Sequence, residues 1–380
     1  MRIAVAMDSF KGSLSSLEAG YAVKTGILKA NPAAEVSVFP LADGGEGTVQ
    51  ALQNSLGGQW VEQSVCGPLG KPVNAGYCIL PDGTALLEMA SAAGLPLVAP
   101  EDRNPLHTTT YGVGQLIRDA IEKGCRNFIV GIGGSATNDG GTGMLQALGY
   151  AFLDDENNPI APGAKGLENL HRIDTNQVLP ELLNCQFRVA CDVSNPLCGD
   201  NGCSAVYGPQ KGATAQMVAD MDRWLIKYAR LAAEVSSKAD PHFPGAGAAG
   251  GLGFAFLTFT NTVLESGADI ILRQTGLEQN IQKADIVITG EGRLDGQTAM
   301  GKGPMAVAAL AKKYGKPVIA LCGCVGEDAE NCNRRGIDAY FPILQSFITL
   351  EDALNSETAK RNLSATAAQI FRLISTLGRN

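Results

Sequence analysis

The chain reads as an α/β protein of two domains, one a doubly wound parallel sheet and the other an inserted α/β domain with a mixed sheet. Three observations carry that reading. Short apolar runs, each leading into a helix, stand at both ends of the chain, and closely spaced strand-like segments fill its middle. At 380 residues the chain also exceeds the length at which one hydrophobic core usually keeps growing.

IAVAM, residues 3–7, has the length and apolarity of a buried strand. Ser15 followed three positions later by Glu18 is a capping-box signature for a helix that Asn31 and Pro32 should end. EVSVF, from Glu35 to Phe39, is the second strand. Near the other end, DIVIT (Asp285 to Thr289) and PVIAL (Pro317 to Leu321) read as buried parallel strands, with a shorter one around Ala339 to Ile343. MAVAALAKKYG, from Met305 to Gly315, has helical spacing and stops at glycine. Leu363, Ala367, Ile370, Phe371 and Ile374 recur at helical intervals and make an amphipathic closing helix.

These outer segments can form one five-stranded sheet of order 2-1-3-4-5, in which a ligand sits at the carboxyl ends of strands one and three. The turn after strand one carries Asp8, Ser9 and Lys11, and the turn after strand three carries Glu291, Arg293 and Asp295. The expected domains are residues 1–59 with 284–380 for the parallel sheet and 60–283 for the insertion, with the active site in the cleft between them. Within the insertion, WVEQSV, VNAGYCIL and TALLEMA suit a mixed or antiparallel sheet, and NFIVGI and FRVACDV add further strands. A long helix from about Thr214 to Ser236 should bury Val218, Met221, Leu225, Tyr228, Ala232 and Val235.

A formal charge of −8, from 30 basic and 38 acidic residues, argues against nucleic acid or an anionic membrane as partner, because both reward a basic face. The ten cysteines form no short-loop framework and the N-terminus shows no cleavable apolar segment, which together predict a cytoplasmic chain with reduced thiols. His107, His171 and His242 lie too far apart for zinc-ligand spacing. The stretch from Pro241 to Leu264 lacks Asp, Glu, Lys and Arg, yet only GLGFAFLTF is densely apolar, too short for a bilayer.

The chemistry is concentrated in glycine-rich loops that contain carboxylates. ADGGEGT (Ala42 to Thr48), GIGGSATNDGG (Gly131 to Gly141) and GEGRLDGQT (Gly290 to Thr298) each follow an apolar run. Glycine lets a backbone aim several N–H groups at one anion, and a neighbouring carboxylate can hold the metal that accompanies a nucleotide's phosphates. Phosphoryl transfer asks for carboxylates on magnesium, a cation on the transferring group and a base at the acceptor hydroxyl. Asp43, Glu46, Asp139, Asp192, Glu291 and Asp295 supply the acids, and Lys11, Arg293 and Lys302 the cations. Asp43 and Asp139 could equally cap the helices that follow them. Asp192 ends the run FRVAC and has Asn195 nearby, a pairing that suits a substrate hydroxyl or a plain Asx turn.

Two standard nucleotide signatures fall short. GAGAAG, from Gly245 to Gly250, satisfies GxGxxG, but HFP precedes it where a dinucleotide site needs a strand. GQTAMGK, from Gly296 to Lys302, imitates a P-loop, but Gly303 stands where a magnesium-binding hydroxyl belongs. Lys302 could still touch a phosphate from the start of a helix.

Read together, DSFKGSLS, ADGGEGT, GIGGSATNDGG, DVSNPLCG, VYGPQKGA, GAGAAGGLG and GEGRLDGQTAMGKG resemble the motifs of the type I glycerate kinases, in order and from residue 8 to residue 304. The resemblance implies ATP-dependent phosphorylation of D-glycerate, expected at the 2-hydroxyl, by a two-domain enzyme with a flavodoxin-like part and an inserted part. Its implied partners are the small molecules D-glycerate and ATP with Mg2+, and a homo-oligomer is left open. Within that reaction we assign Lys11 to the transferring phosphoryl and Asp192 to the acceptor hydroxyl as base. Asp8, Asp43 and Glu291 are the magnesium-side carboxylates, and Arg293, Ser9 and Asn195 the glycerate contacts. Gly44, Gly45, Gly133, Gly134 and Ser135, with Lys302, would line the nucleotide phosphates. The rival readings are an NAD(P)-dependent oxidoreductase of a small hydroxy acid and a non-catalytic phosphometabolite-binding protein.

Overall fold

The structure is a computed structural model that describes residues 1–41, 52–53, 56–300 and 303–377. Asp43, Gly44, Gly45, Glu46 and Lys302 therefore lie outside the described residues. The described chain falls into two compact units, one drawing on residues 1–41 and 268–377 and the other on residues 57–267.

Strand β1 (Arg2–Met7) is buried from Ile3 onward and leads into helix α1 (Ser16–Ala30). The expected capping box is present: the Ser15 hydroxyl accepts from the Glu18 N–H, and the Glu18 carboxylate accepts from the Ser15 N–H at 3.0 Å. Strand β2 (Glu35–Pro40) then runs parallel to β1.

The second unit opens with an antiparallel meander of β3 (Gln59–Cys66), β4 (Pro72–Ile79) and β5 (Ala85–Glu88). Helix α2 (Tyr111–Glu122) then carries the chain to β6 (Asn127–Gly131), which lies parallel to β5. A small antiparallel pair, β7 (Ala151–Leu153) and β8 (Arg172–Asp174), stands apart, and β9 (Gln186–Ala190) adds to β6 in parallel. Helix α3 (Ala215–Val235) starts at the Thr214 cap and buries Met221, Leu225, Tyr228 and Ala232. Val235, expected inside, is 42% exposed, because the last turn runs past the edge of the core. Helix α4 (Ala248–Phe259) and β10 (Thr262–Glu265) complete a six-stranded mixed sheet of order β10-β9-β6-β5-β4-β3.

Helices α5 (Gly267–Gln274) and α6 (Leu277–Lys283) lead back to β11 (Ile286–Leu294), which pairs with β1. Helix α7 (Gly303–Lys313), β12 (Val318–Val325), β13 (Ala339–Pro342) and α8 (Ser356–Leu377) follow, and the wholly parallel sheet has the order β13-β12-β11-β1-β2. Alternate residues of β1 face opposite sides. Ile3, Val5 and Met7 pack with Val23 and Ile27 of α1 and with Leu363 and Phe371 of α8; Ala4 and Ala6 pack with Ile281 of α6 and Val307 of α7. A parallel sheet and a mixed sheet are both present, as expected. The contact boundary falls between Gly267 and Ala268, not after residue 283, because Leu272, Leu277 and Ile281 bury in the core of the parallel sheet.

Among the described residues, no helix is long and apolar enough to cross a membrane. All ten cysteines are free thiols.

Candidate active site

Met7 and Gly290 sit opposite one another where β1 and β11 end their pairing, and the Asp8 N–H donates to the Gly290 carbonyl at 2.8 Å. From this point β1 leads to α1 on one face of the sheet and β11 to α7 on the other, so the two chains part and leave a crevice. Gly290 has φ +154°, and a Cβ there would collide with the Leu321 carbonyl, so only glycine lets the three strands draw this close. Gly292 brings the turn after β1 alongside: a Cβ on it would lie 3.5 Å from Phe10 Cα and 3.6 Å from the Lys11 nitrogen.

Glu291 and Arg293 were expected on a turn. They belong instead to a strand, because β11 keeps its register with β12 through Leu294 opposite Val325. That places the two side chains at i and i+2 on one face of the sheet, the face that opens on the crevice. Asp8, Ser9, Lys11, Glu291 and Arg293 all line one cavity of about 570 Å³. Asp8 is 9% exposed and Glu291 8%, while the Arg293 side chain is 65% exposed. The Asp8 carboxylate accepts from the Ser9 N–H at 2.6 Å, and a Cβ on Gly303, the first residue of α7, would lie 3.3 Å from Asp8 Oδ2. Arg293 Nε pairs with Asp295 Oδ2 at 3.2 Å. Asp295 also accepts from the N–H groups of Gln297 and Thr298, so it caps the turn ahead of α7.

Among the described residues, no group of three or more His, Cys, Asp and Glu side chains is placed to hold a metal ion. Magnesium does not require one, since it keeps several waters and is usually bound by one or two carboxylates together with substrate phosphates. Two largely buried carboxylates, Asp8 and Glu291, at the ends of neighbouring strands fit that donor set.

In the second unit, the carboxyl ends of the parallel strands β6 and β9 carry the next group of motifs. Gly134, at φ +74°, accepts from the Leu95 N–H at 2.8 Å, and the Ala136 N–H donates to the Ala93 carbonyl at 2.9 Å. These bonds fix the Gly133–Gly134–Ser135 turn in place. Asp139 is fully buried and accepts from the Thr110 N–H (2.8 Å) and hydroxyl (2.9 Å), and from the N–H groups of Gly141 (3.1 Å) and Gly143 (3.3 Å). Burial raises its carboxyl above the ordinary range and those donors offset only part of the rise, so Asp139 organises the loop from within.

Sequence reasoning left Lys211 unassigned. Its ammonium, 2% exposed, donates to Ser135 Oγ at 2.8 Å and to the Thr137 carbonyl at 2.6 Å. The signal was a lysine enclosed by glycines in YGPQKG, but nothing in the spacing said that it turns inward. Burial lowers its pKa to about 8 from an ordinary 10.5. Between those values the unfolded chain holds a proton that the folded chain does not, so this group's contribution to stability rises as pH increases from about 8 to 10.5, and its penalty is complete below 8. The melting temperature of wild type minus that of Lys211→Met should therefore grow more positive across that window. A difference that stays flat would show that the ammonium is not the group titrating there.

GAGAAGG packs onto the same loop. Ala249, Gly250 and Gly251 all have positive φ, the Gly140 N–H donates to the Gly250 carbonyl at 3.0 Å, and a Cβ on Gly250 would strike the Thr137 carbonyl. This fragment is thus an internal brace, with neither the strand nor the free approach that a pyrophosphate would need. Asp192 is exposed and accepts from the Gly267 N–H at 3.2 Å. Asn195 accepts from the Tyr207 hydroxyl at 2.7 Å and donates to the Asn201 carbonyl at 2.8 Å, so its amide already ties its own loop together. The structure thus gathers Asp8, Ser9, Lys11, Glu291 and Arg293 in one cavity. It also sets Gly133, Gly134, Ser135, Asp192 and Asn195 at the strand ends of the other sheet.

A parallel sheet with a carboxylate- and cation-lined crevice at its switch point defines an α/β enzyme for a small anionic substrate. Comparison with known proteins narrows the class. The model of the glycerate kinase family matches residues 3–375. A glycerate kinase of Haemophilus influenzae is 47% identical over 375 residues, covering 98% of this chain and 99% of that protein. A glycerate 2-kinase of Escherichia coli is 46% identical over 374 residues, covering 97% and 98%. A crystal structure from Salmonella typhimurium LT2, of a protein assigned as glycerate kinase 2, superposes with a TM-score of 0.91 at 44% identity and full coverage of both chains. The chain belongs to the glycerate kinase family.

Proposed function

We propose that the chain transfers the γ-phosphoryl group of ATP to the 2-hydroxyl of D-glycerate, giving 2-phosphoglycerate and ADP. The observation that carries this reading is the cavity at the ends of β1 and β11, where two largely buried carboxylates share one space with Lys11 and Arg293. In the transfer, an O–P bond forms to the glycerate oxygen and the bond from the γ-phosphorus to the β-bridging oxygen breaks. Lys11 sets its ammonium against the negative charge of the transferring group, which needs position and charge more than covalent chemistry. Asp8 and Glu291 would hold Mg2+, with Asp43 as the third carboxylate of the proposal. When bound, the ion neutralises phosphate charge and helps to orient the triphosphate. Arg293 takes the glycerate carboxylate, for which a guanidinium has the matching fork of donors, with Ser9 beside it. Asp192 is the proposed acceptor of the hydroxyl proton, with Asn195 shaping its loop. Gly44, Gly45, Gly133, Gly134, Ser135 and Lys302 are the proposed phosphate contacts. We read the parallel unit as flavodoxin-like, with the central segment as an insertion in it.

ADP release measured with ATP and D-glycerate should require both glycerate and Mg2+. Consumption of ATP that ignores glycerate would discard the reading. Arg293→Ala should raise the KM for glycerate about tenfold or more, the equivalent of one charge-assisted hydrogen-bonded pair, while changing the KM for ATP little. Initial rates at varied glycerate give that number directly.

A further inference from the structure

The cavity lined by Asp8 and Lys11 also has apolar lining that the transfer chemistry does not use. Ile343 and Leu344 from the segment after β13, and Leu350 and Leu354 from the short helix Leu350–Leu354, give the same cavity an apolar wall. Leu350 is 75% exposed and Leu344 42%, an exposure that in a cavity wall marks a surface made to be covered. Two polar groups line the same cavity. One is Asn362 of α8, which is 8% exposed. Ser13 lines the cavity too, and its hydroxyl is buried without a hydrogen-bond partner. A buried hydroxyl without a partner is costly and is the kind of group that a ligand satisfies.

Glycerate cannot account for this lining. It offers no apolar face, and a cavity of about 570 Å³ is the size that takes a drug-sized ligand, far larger than a three-carbon acid. We infer that Ile343, Leu344, Leu350 and Leu354, with Asn362 and Ser13, form the subsite for the purine base of the phosphoryl donor. The leucines cover one face of a flat ring, and the carboxamide offers a donor and an acceptor side by side, the pattern that pairs with adenine's amino group and adjacent ring nitrogen. The identity of the ligand as a nucleotide rests on the phosphotransfer reading; the location of the base does not depend on turnover.

The test is direct binding of a fluorescent N-methylanthraniloyl ADP, with displacement by ADP and by GDP, to wild type, Leu350→Glu and Asn362→Leu. Leu350→Glu changes an exposed side chain and keeps the test alive if Asn362→Leu does not fold. Both variants should bind ADP about tenfold more weakly or worse, and Asn362→Leu should also lose most of the preference for ADP over GDP. Unchanged ADP affinity in both variants would overturn the inference, whether or not the protein phosphorylates glycerate. So would a change of oligomeric state in Leu350→Glu with nucleotide binding intact, which would make the wall a self-association surface. Wild-type ADP binding that responds to both substitutions, in a protein that leaves glycerate untouched, would uphold the subsite and refute the proposed substrate instead.

Discussion

Lys11→Ala is expected to lower kcat about a hundredfold, the loss of roughly 3 kcal/mol that follows removal of one preorganised positive group from a developing anionic transition state. Lys11 stands in the turn after β1, exposed and on the cavity wall, with Gly292 letting the backbone of β11 come up against it. The side chain is exposed, so its truncation leaves no cavity in the core. The variant's KM for glycerate should change much less than kcat, because the charge matters most where the phosphoryl group is in flight. Steady-state rates at saturating ATP and glycerate decide the matter. A near-normal turnover would remove Lys11 from the chemistry.

Asp8→Asn should be at least as damaging. The side chain keeps its shape and can still accept from the Ser9 N–H, so the local backbone has reason to hold. What it loses is one of the two buried negative charges that share the cavity, and with it part of the attraction for a divalent cation. Turnover is expected to fall about a hundredfold, and the Mg2+ concentration for half-maximal rate to rise about tenfold, in line with the several kcal/mol of charge stabilisation that a bound metal supplies. Titration of rate against Mg2+ separates the two effects. A variant with an unaltered Mg2+ dependence would mean that Asp8 holds no metal.

The frame of the parallel sheet was legible because each of its parts has a local cause. Ser15 and Glu18 announce the start of α1, the run from Ile3 to Met7 has the apolarity of a doubly covered strand, and Leu363, Ala367 and Phe371 mark the inner face of α8. The meeting of Asp8 with Glu291 could be anticipated only through topology, since 283 positions separate them along the chain. Other features were hidden for physical reasons. The strand β11 runs through GEGRL because Gly290 and Gly292 fit the tight spacing to β12 and to the turn after β1, although glycines in a sequence signal a turn first. Lys211 turns inward because Ser135 and the Thr137 carbonyl offer it acceptors, a fact of tertiary contact that a pattern of single residues cannot carry. Asn362 sits three residues after Ala359 and one before Leu363, on the buried stripe of α8, and a polar residue in such a stripe is a signal that could have been read. Of the leucines in the apolar wall, Leu350 and Leu354 stand at helical i, i+4 spacing, but one turn is too short for that spacing to mark a site.

Phosphorus NMR of the product tests the central account most directly. With D-glycerate, ATP and Mg2+, the account predicts a new phosphomonoester signal split into a doublet by the single proton on carbon two. A triplet, from the two protons on carbon three, would contradict the assigned hydroxyl, and the absence of any new phosphomonoester would contradict the transfer itself.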